Sequence, residues 1–412
     1  MYFLLIITIK KGFCLVIVYY NRCSYELNRS YMRSYSIVPF TLFLRRYFLQ
    51  GVVRIVHEKV SYNRFQNVDT TLVTVVITGR NEKYTIKDCI TSIFEQSYPN
   101  FEIIYIDGKS SDGTYETAIS LMSYLKSSKN CKRYLPLSIE ADSPAKGRNF
   151  GVKLAHGTII AFTDADCIAE RDWLVNLVKY LPKDTGIIGG PNVLKHFRTS
   201  KTLDAIDNVL ETNLGSGGSP QFVKINKLSE VHALSTCNLA VQKNLFEKVC
   251  GFDEKLRYNE DSDFSNRILK NGYKIIYTPE AIVNHFVGIE SYSDFLRLLH
   301  KYGSERGKNA ARSRHFLTKF NFFSTTFILT LFSLLGLSLF VNTAKMIFIS
   351  LILITILILF IASIKIGIRT KSGVLVFLAL GILFTIHVVY STGFLLGYIL
   401  SLPNIRRNIF NR

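Results

Sequence analysis

The chain has 412 residues, of which 48% are hydrophobic and 13% aromatic, and its formal net charge is +19. This length accommodates one sizeable domain and a further segment, and so apolar a composition argues against a purely soluble globule. The seven cysteines are scattered and contain no CxxC pair, which argues against a zinc site or a redox motif and fits reduced thiols in a cytoplasmic domain.

Residues 1–70 form a basic and apolar leader. The stretch MYFLLIITIKKGFCLVIVYY is broken by Lys10 and Lys11, each of which would cost ~2.5–3.5 kcal/mol at the centre of a bilayer. These charges follow the apolar start, whereas a signal peptide carries its positive charges first. Residues 36–56 have the pattern of a basic amphipathic segment on a membrane surface. We therefore expect an interfacial or poorly ordered leader.

From Thr71 onward, strand-like and helix-like stretches alternate. Strands are predicted for TLVTVVITG, FEIIYID, LPLSIEAD and GTIIAFTDAD, and helices for YTIKDCITSIFEQS, SDGTYETAISLMSYL and SPAKGRNFGVKLA. Strands that alternate with helices of this length indicate βαβ units and a mostly parallel sheet. Residues 71–290 are therefore expected to form one α/β domain, less regular in its second half.

Polar residues follow three of the predicted strands, as GRNE, DGKSSDGT and DADC. Ligands of open parallel sheets bind beyond the carboxyl ends of the strands. Asp164 and Asp166 share one face of a strand end because side chains alternate, and two carboxylates that project together suit a hard divalent cation. A lone DxD pair is a weak signal, but its position after GTIIAFT strengthens it. Glu170 and Asp172 fall in the first turn of the next helix, where negative charge suits the dipole, and Trp173 is expected in the core.

Residues 291–320 carry a cationic run just before a long apolar region. Such a run is typical of a cytoplasmic flank that faces lipid, and we expect an amphipathic interface segment. Nucleic acid is the competing partner for so basic a chain, but no RNA-binding or DNA-binding motif accompanies the charges. The expected partners therefore include membrane lipids and exclude nucleic acid.

Three stretches within residues 321–400 hold almost no charge, and each approaches or reaches the ~20 residues that span a bilayer. They are residues 321–341, 346–364 and 374–400, followed by a basic tail at 401–412. The alternative is a very apolar helical bundle.

The tail raises a question of topology. With the α/β domain cytoplasmic, three spans would leave its arginines outside, against the positive-inside tendency. Either the last stretch is re-entrant or double-pass around Gly393 and Gly397, or the leader contributes a span.

Six stretches, in order, are similar to those of family 2 glycosyltransferases of the GT-A fold. They are VVITGRNE, DGKSSDGT, KGRNFG, FTDAD, CNLAVQKNLFEKVCGFDE and NEDSDFSNRI, within roughly residues 71–285. The apolar stretches that follow resemble the membrane-anchored branch of this family, which acts on lipid-linked or nascent polysaccharide acceptors. The resemblance implies a GT-A (Rossmann-like, mostly parallel sheet) domain followed by transmembrane helices.

The resemblance also implies roles for individual residues. The residues expected at the nucleoside diphosphate sugar are Asp107 (base or ribose), Arg148 (diphosphate or sugar), Asp164, Asn149 and Glu82. Asp166 would be the main ligand of Mg²⁺ or Mn²⁺, with Asp164 touching ribose, sugar or metal. His285 falls where some members supply a further ligand, although a lone histidine after a strand is more often structural. The chain departs from the family pattern at Ile106, where many members have a first Asp, and in its shortened KGRN.

Glu260 and Asp261 match the ED motif of the family. An inverting transfer needs a carboxylate that removes the proton of the acceptor hydroxyl, and we assign this role to Asp261, with Glu260 orienting it. The alternative for both is an exposed acidic helix start.

The prediction is a multi-pass membrane-bound inverting glycosyltransferase with a cytoplasmic catalytic domain. It would use a nucleoside diphosphate sugar, Mg²⁺ or Mn²⁺, and a lipid-linked or cell-surface glycan acceptor. One rival is a nucleotidyltransferase, for which ITGRNE is a poor phosphate loop. The other is a non-catalytic membrane scaffold, against which the retained acidic residues argue.

Overall fold

The computed structural model describes residues 3–10, 13–20, 71–125, 130–181 and 184–410. The chain divides into two compact units, Met1–Gly51 and Val52–Arg412. In the first unit, β1 (Phe3–Lys10) and β2 (Phe13–Tyr20) pair as antiparallel strands. Residues 36–56, for which an amphipathic segment is predicted, lie outside the described residues, and the boundaries of the leader stay a prediction.

The second unit begins with the predicted alternation of strands and helices. Its strands are β3 (Val73–Gly79), β4 (Phe101–Asp107), β5 (Cys131–Ser138), β6 (Ile159–Asp164), β7 (Cys167–Ala169), β8 (Thr185–Gly189), β9 (Asn192–Lys195), β10 (Ser229–Glu230), β11 (Leu239–Gln242), β12 (Lys274–Tyr277) and β13 (Val283–Phe286). The helices among them are α1 (Ile86–Phe94), α2 (Thr114–Leu125), α3 (Pro144–Leu154), α4 (Trp173–Lys179), α5 (Lys201–Leu210), α6 (Asn213–Ser216), α7 (Lys243–Lys248) and α8 (Glu260–Lys270).

The large sheet has eight strands in the order β10-β12-β8-β11-β6-β3-β4-β5. Strands β6, β3, β4 and β5 run parallel to one another, as β12 does to β8. Strand β11 runs antiparallel to β6 and β8, and β10 runs antiparallel to β12. The prediction of a mostly parallel sheet is confirmed. The antiparallel insertion comes from the second half of the domain, where the sequence pattern is less regular.

Strand β3 separates two layers of the core. Val75 and Ile77 pack in one buried cluster with Ile90 of α1, whereas Val76 packs in another with Val152 of α3. Both faces of the strand are thus covered, which explains why VTVVITG is a continuous apolar run and does not alternate with polar residues.

The register of the parallel strands aligns their carboxyl ends. Gly79 pairs with Asp107, and Thr78 pairs with Asp164. The polar residues that follow β3, β4 and β6 therefore meet at one edge of the sheet. A second, three-stranded sheet has the order β7-β13-β9 and pairs His285 with Cys167 beside that edge.

Four long helices follow in the described part of the unit: α9 (Tyr292–Arg312), α10 (Lys319–Leu337), α11 (Asn342–Thr370) and α12 (Gly373–Phe410). Within the described residues, three helices are long and apolar enough to cross a membrane: Lys319–Leu337, Asn342–Thr370 and Gly373–Leu402. They overlap the three predicted spans, and the second extends further than predicted at both ends.

Helix α12 runs without a break through Gly393 and Gly397, so the predicted re-entrant element at these glycines is wrong. Both glycines instead allow α9 to approach. A Cβ built on Gly393 would lie 2.6 Å from the carbonyl oxygen of His300, and one on Gly397 would lie 2.0 Å from that of Ser304. The pair therefore serves helix packing.

Candidate active site

A cavity of about 330 Å³ opens at the carboxyl edge of the sheet. Its walls come from the ends of β3, β4 and β6, the loop that precedes α3, and the first turns of that helix. Gly79 at the end of β3 has no room for a side chain, since a Cβ there would meet that of Ala165 at 2.3 Å. This close approach brings Glu82 to the same cavity as Asp164 and Asp166.

Asp107 is fully buried at the end of β4. Its carboxylate accepts hydrogen bonds from the backbone N–H of Ser110 at 2.9 Å, from the hydroxyl of Ser110 at 2.5 Å and from that of Ser138 at 2.9 Å. The two bonds with Ser110 shape the loop after β4, and the contact of Asp107 with base or ribose stays a prediction. Ile106, where many family members have Asp, lines the cavity.

Asp164 and Asp166 face different partners. Asp164 Oδ1 accepts hydrogen bonds from Arg148 Nη2 at 2.6 Å and from Thr78 Oγ1 at 3.1 Å. Asp166 Oδ2 lies 3.2 Å from His285 Nε2, and Asp166 Oδ1 lies 3.4 Å from Cys167 Sγ. Burial by itself would raise the pKa of Asp166, but the charge and hydrogen bond of His285 outweigh it, and the pKa is lowered.

Glu82 completes a set of three carboxylates at the cavity. Burial, followed by the negative charge of Asp166 and Asp164, raises its pKa to about 7. An approaching cation would relieve this repulsion, and carboxylate oxygens are the donors that Mg²⁺ and Mn²⁺ prefer. The donor set therefore fits a hard divalent cation.

Arg148 of α3 lines the cavity and is only 3% exposed. Besides its bond to Asp164, it donates from Nη1 to Glu260 Oε1 at 2.7 Å. Its Nε is buried with no hydrogen-bond partner among the described residues. Arg148 thus bridges the DxD and ED motifs through its two terminal nitrogens, and its contact with diphosphate or sugar stays a prediction.

Asn149 is not among the residues that line the cavity. Its amide donates to the carbonyl oxygen of Phe252 at 2.9 Å and to Glu254 Oε1 at 2.9 Å, while Phe252 N–H donates to its Oδ1 at 2.9 Å. The structure thus gives Asn149 a contact with the GFDE loop, and its contact with the nucleotide sugar stays a prediction. Asp253 of this loop accepts a hydrogen bond from the N–H of Lys255 at 3.0 Å.

Glu260 and Asp261 begin α8. Burial raises the pKa of Glu260 to about 7 against the opposing charge of Arg148, and burial also raises the pKa of Asp261. A carboxylate with a raised pKa is a stronger proton acceptor, which suits a general base. Asn259, just before them, adopts the left-handed conformation with φ of 64°.

Arg306 of α9 holds this helix start and is a residue that the sequence reasoning missed. It donates from Nη1 to Asn259 Oδ1 at 2.8 Å and to Ser262 Oγ at 3.0 Å. In the sequence it looked like one more charge of the basic flank. Arg306 and Ser262 are 44 residues apart in the chain, so only the fold shows that Arg306 lies beside the ED motif.

His285 joins the site from β13. Its 3.2 Å distance to Asp166 suits a hydrogen bond, and it is also close to the ~3.0 Å that separates two adjacent ligands of one octahedral ion with 2.1 Å bonds. Direct ligation by His285 therefore stays a prediction. Trp173 is fully buried and donates from Nε1 to Asn238 Oδ1 at 2.8 Å, which confirms its place in the core.

Two family models match the chain: Glycosyl transferase family 2 over residues 74–249, and Glycosyl transferase family group 2 over residues 187–391. Among solved structures, the chain is similar to the mannosyltransferase PcManGT from Pyrobaculum calidifontis, in complex with GDP-Man and Mn²⁺. The two are 22% identical with a TM-score of 0.42, over 58% of this chain and 61% of that chain, a likeness too slight to carry a statement about ligands.

The chain is also similar to two curated relatives over more than half of its length. A dolichyl N-acetyl-alpha-D-glucosaminyl phosphate 3-beta-D-2,3-diacetamido-2,3-dideoxy-beta-D-glucuronosyltransferase of Methanococcus voltae is 25% identical over 57% of this chain and 73% of its own length. Glycosyltransferase AglE of Haloferax volcanii is 26% identical over 52% of this chain and 66% of its own length. The two family models together span residues 74–391, and the chain therefore belongs to glycosyltransferase family 2.

Proposed function

We propose that the protein is a membrane-bound inverting glycosyltransferase that moves a sugar from a nucleoside diphosphate sugar to a lipid-linked or glycan acceptor. The observation that carries this proposal is the chain of contacts from Asp164 through Arg148 to Glu260. It joins an acidic cavity to a second pair of carboxylates at the start of another helix. A transfer with inversion needs acidic groups at two such places.

The cavity is the proposed place of the nucleoside diphosphate. Ser143 caps α3 by accepting a hydrogen bond from the N–H of Lys146, and Pro144 opens the helix. Pro144 and Gly147 line the cavity, so the positive end of the helix dipole faces the space assigned to the phosphates. This support is independent of the family match.

Asp164 and Asp166 are the proposed ligands of Mg²⁺ or Mn²⁺. When bound, such a cation stabilises the negative charge that grows on the departing nucleoside diphosphate. Arg148 keeps Asp164 in place from below, and His285 keeps Asp166 in place from the side. Glu82 is proposed to act at the same cavity, where it gives up its proton when positive charge arrives.

Asp261 is the proposed general base. It takes the proton from the acceptor hydroxyl as that oxygen attacks the anomeric carbon, and the nucleoside diphosphate leaves from the opposite face. Glu260, fixed by Arg148, orients the first turn of α8. Arg306 fixes the same turn from the other side.

A lipid-linked acceptor is proposed on two grounds. The relative from Methanococcus voltae is named for a dolichyl-linked phosphate acceptor, and the described part of the present chain has three helices suited to a bilayer. Helix α9 connects the two parts, since it holds α8 through Arg306 and leads to α10. An acceptor sugar at the membrane surface would therefore be close to Asp261.

The α/β domain is proposed to be cytoplasmic. Arg369, near the end of α11, forms an ion pair with Glu211 at 3.0 Å and donates to Asn208 Oδ1 at 2.8 Å. The basic turn between α11 and α12 thus lies on the same side as the domain, in keeping with the positive-inside tendency. Protease protection of a tag after Arg412 in sealed vesicles tests this orientation.

The direct test of the reaction class uses purified full-length protein in detergent with a panel of nucleotide sugars and Mn²⁺ or Mg²⁺. We expect nucleoside diphosphate to be released in the presence of a lipid-linked acceptor. Release of pyrophosphate would indicate a nucleotidyltransferase instead. Failure to bind any nucleotide sugar with metal would indicate a scaffold that has kept the fold.

A further inference from the structure

Three soft or borderline metal donors converge beside Asp166. Cys167 comes from β7, Cys237 from the 3₁₀ turn Thr236–Asn238, and His285 from β13. One donor atom of each lies within 4.8 Å of the others. Both cysteines are buried, at 0% and 1% exposure, and His285 is partly buried.

The distances are close to those of a tetrahedral metal site. Cys237 Sγ lies 3.8 Å from His285 Nδ1. Bonds of 2.3 Å to sulfur and 2.0–2.1 Å to nitrogen would separate these atoms by ~3.6 Å, and two such sulfurs by ~3.8 Å. Small shifts would therefore bring the three donors onto one ion.

The second ring nitrogen of His285 has the partner that a metal-bound histidine usually has. Its Nε2 faces Asp166 Oδ2 at 3.2 Å. Histidine ligands commonly donate their other N–H to a carboxylate, which fixes the ring and its tautomer. With Nε2 protonated, the lone pair of Nδ1 is directed at Cys237.

We propose that Cys167, Cys237 and His285 Nδ1 bind one soft divalent cation of the Zn²⁺ class, separate from the Mg²⁺ or Mn²⁺ proposed at Asp164 and Asp166. Thiolate and imidazole select zinc over magnesium, whereas carboxylates do the reverse. Two thiolates neutralise the charge of the ion, and a water molecule completes four-coordination. The ion then holds His285 as a positioning residue behind Asp166.

This site also revises the argument from cysteine spacing. The absence of a CxxC pair argued against zinc, but 70 residues separate Cys167 from Cys237 in the chain and the fold brings them together. The antiparallel pairing of β13 with β7 adds His285, since it places that residue opposite Cys167. Sequence spacing alone could not reveal ligands from three elements.

The test is a Co²⁺ titration of the reduced, chelator-stripped full chain in detergent. We expect one equivalent of Co²⁺ to produce a thiolate-to-cobalt charge-transfer band in the near ultraviolet. Zn²⁺ should abolish the band, and roughly a hundredfold excess of Mg²⁺ should not. Cys167→Ser and Cys237→Ser should each weaken or remove it, while Cys131→Ser, a change in β5, should leave it intact.

The variant Asp166→Asn distinguishes the proposed cysteine–histidine site from the Mg²⁺ or Mn²⁺ site that Asp166 is proposed to form. The charge-transfer band should remain in this variant. The affinity for Co²⁺ should fall about 10- to 100-fold, because the ligating histidine loses the carboxylate that orients it. Three results would each overturn the proposal: no band in folded wild type, a band that survives in the Cys167→Ser/Cys237→Ser double variant, or a disulfide between these cysteines in protein alkylated at lysis. The readout needs no sugar transfer, so failure of the proposed function leaves it interpretable.

Discussion

At the scale of single residues, Arg148 connects the two acidic motifs. Its guanidinium is buried and bonded to one carboxylate from each motif, Asp164 and Glu260. A buried ion pair gains little net stability over an apolar replacement of both partners, but removal of one partner leaves an uncompensated charge. Arg148 therefore sets the positions of both motifs at once.

Arg148→Met should lower the free energy of unfolding by about 3–5 kcal/mol, because it leaves two carboxylates without their cation. Thermal unfolding of the purified protein measures the change. Lys153→Met is the matched control, since Lys153 is an exposed residue of the same helix, and it should have little effect. Equal stability of Arg148→Met and the control would show that the bridge is absent in solution.

Asp261→Asn should reduce transfer to a hydroxyl acceptor by about 10²- to 10⁴-fold, the usual contribution of a general base. A polyprenyl phosphate acceptor should be much less affected, because its nucleophile is already ionised. Initial rates with both acceptors measure the difference. Asp253→Asn, in an exposed turn near the same helix, is the control; full activity of Asp261→Asn on a hydroxyl would contradict the assignment of the base.

The acidic residues of the site could be predicted from the sequence, but their partners could not. Asp164 and Asp166 follow a buried strand of a parallel sheet, and such strand ends meet at one edge. The partners of Arg148 lie 16 and 112 residues away. Such distant contacts depend on how α3 and α8 pack. Asp107 and Asn149 also bond loops of the protein itself, with partners up to 31 and 105 residues away.

At the scale of elements, α9 is the connection between the catalytic domain and the apolar helices. One side holds α8 through Arg306, and the other packs on α12 through glycines. A Cβ on Gly303 would lie 2.3 Å from the carbonyl oxygen of Tyr390, and one on Gly307 would lie 2.0 Å from that of Phe394. With Gly393 and Gly397 opposite them, the helices form a reciprocal small-xxx-small contact.

Overpacking in Gly307→Ala should lower the free energy of unfolding by about 1–3 kcal/mol. The higher helix propensity of alanine should offset ~1 kcal/mol of this loss. Gly381→Ala, on α12, is the control, since a Cβ there has no described atom within 4 Å. We expect it to be neutral or stabilising. Thermal unfolding of the two variants compares them, and an equal effect of both would argue that α9 and α12 are not in close contact.

His196 supplies a pH-dependent link between elements. Its Nε2 lies 3.0 Å from Asp207 Oδ1 on α5, and its Nδ1 lies 2.6 Å from the carbonyl oxygen of Ile289. Both neighbours are acceptors, so the doubly protonated ring is favoured, and the hydrogen bond with Asp207 is the main reason that the pKa of His196 is raised. The resulting stabilisation is complete below the unfolded value of about 6.5.

The contribution of protonated His196 to the free energy of unfolding should disappear as the pH rises through the raised pKa of this residue in the folded state. Melting temperatures of wild type and His196→Gln, measured from pH 6 to pH 9, should therefore converge with increasing pH. Asp172→Asn, away from His196, should show no such convergence. A constant difference between wild type and His196→Gln would mean that the imidazole does not gain a proton on folding.

At the scale of the whole molecule, composition and hydropathy indicated the division into a catalytic domain and apolar helices, because each property is averaged over many residues. The three helices lie close to the predicted spans. The way these parts join was not predictable. Arg369 bonds Glu211, and the α9–α12 contact turns the supposed re-entrant glycines into packing positions. The Arg369–Glu211 ion pair and the α9–α12 contact each join residues that are more than 80 positions apart in the chain.

The central claim is that the strand-end acids Asp164 and Asp166 support metal-dependent sugar transfer. The most direct measurement compares nucleoside diphosphate release by wild type, Asp166→Asn and Asp172→Asn, with a nucleotide-sugar panel, Mn²⁺ and a lipid-linked acceptor. Asp172 follows closely in sequence but is exposed and bonded to Ser97. We predict metal-dependent release by wild type and Asp172→Asn and its loss in Asp166→Asn. Metal-independent release, or undiminished release by Asp166→Asn, would contradict the account.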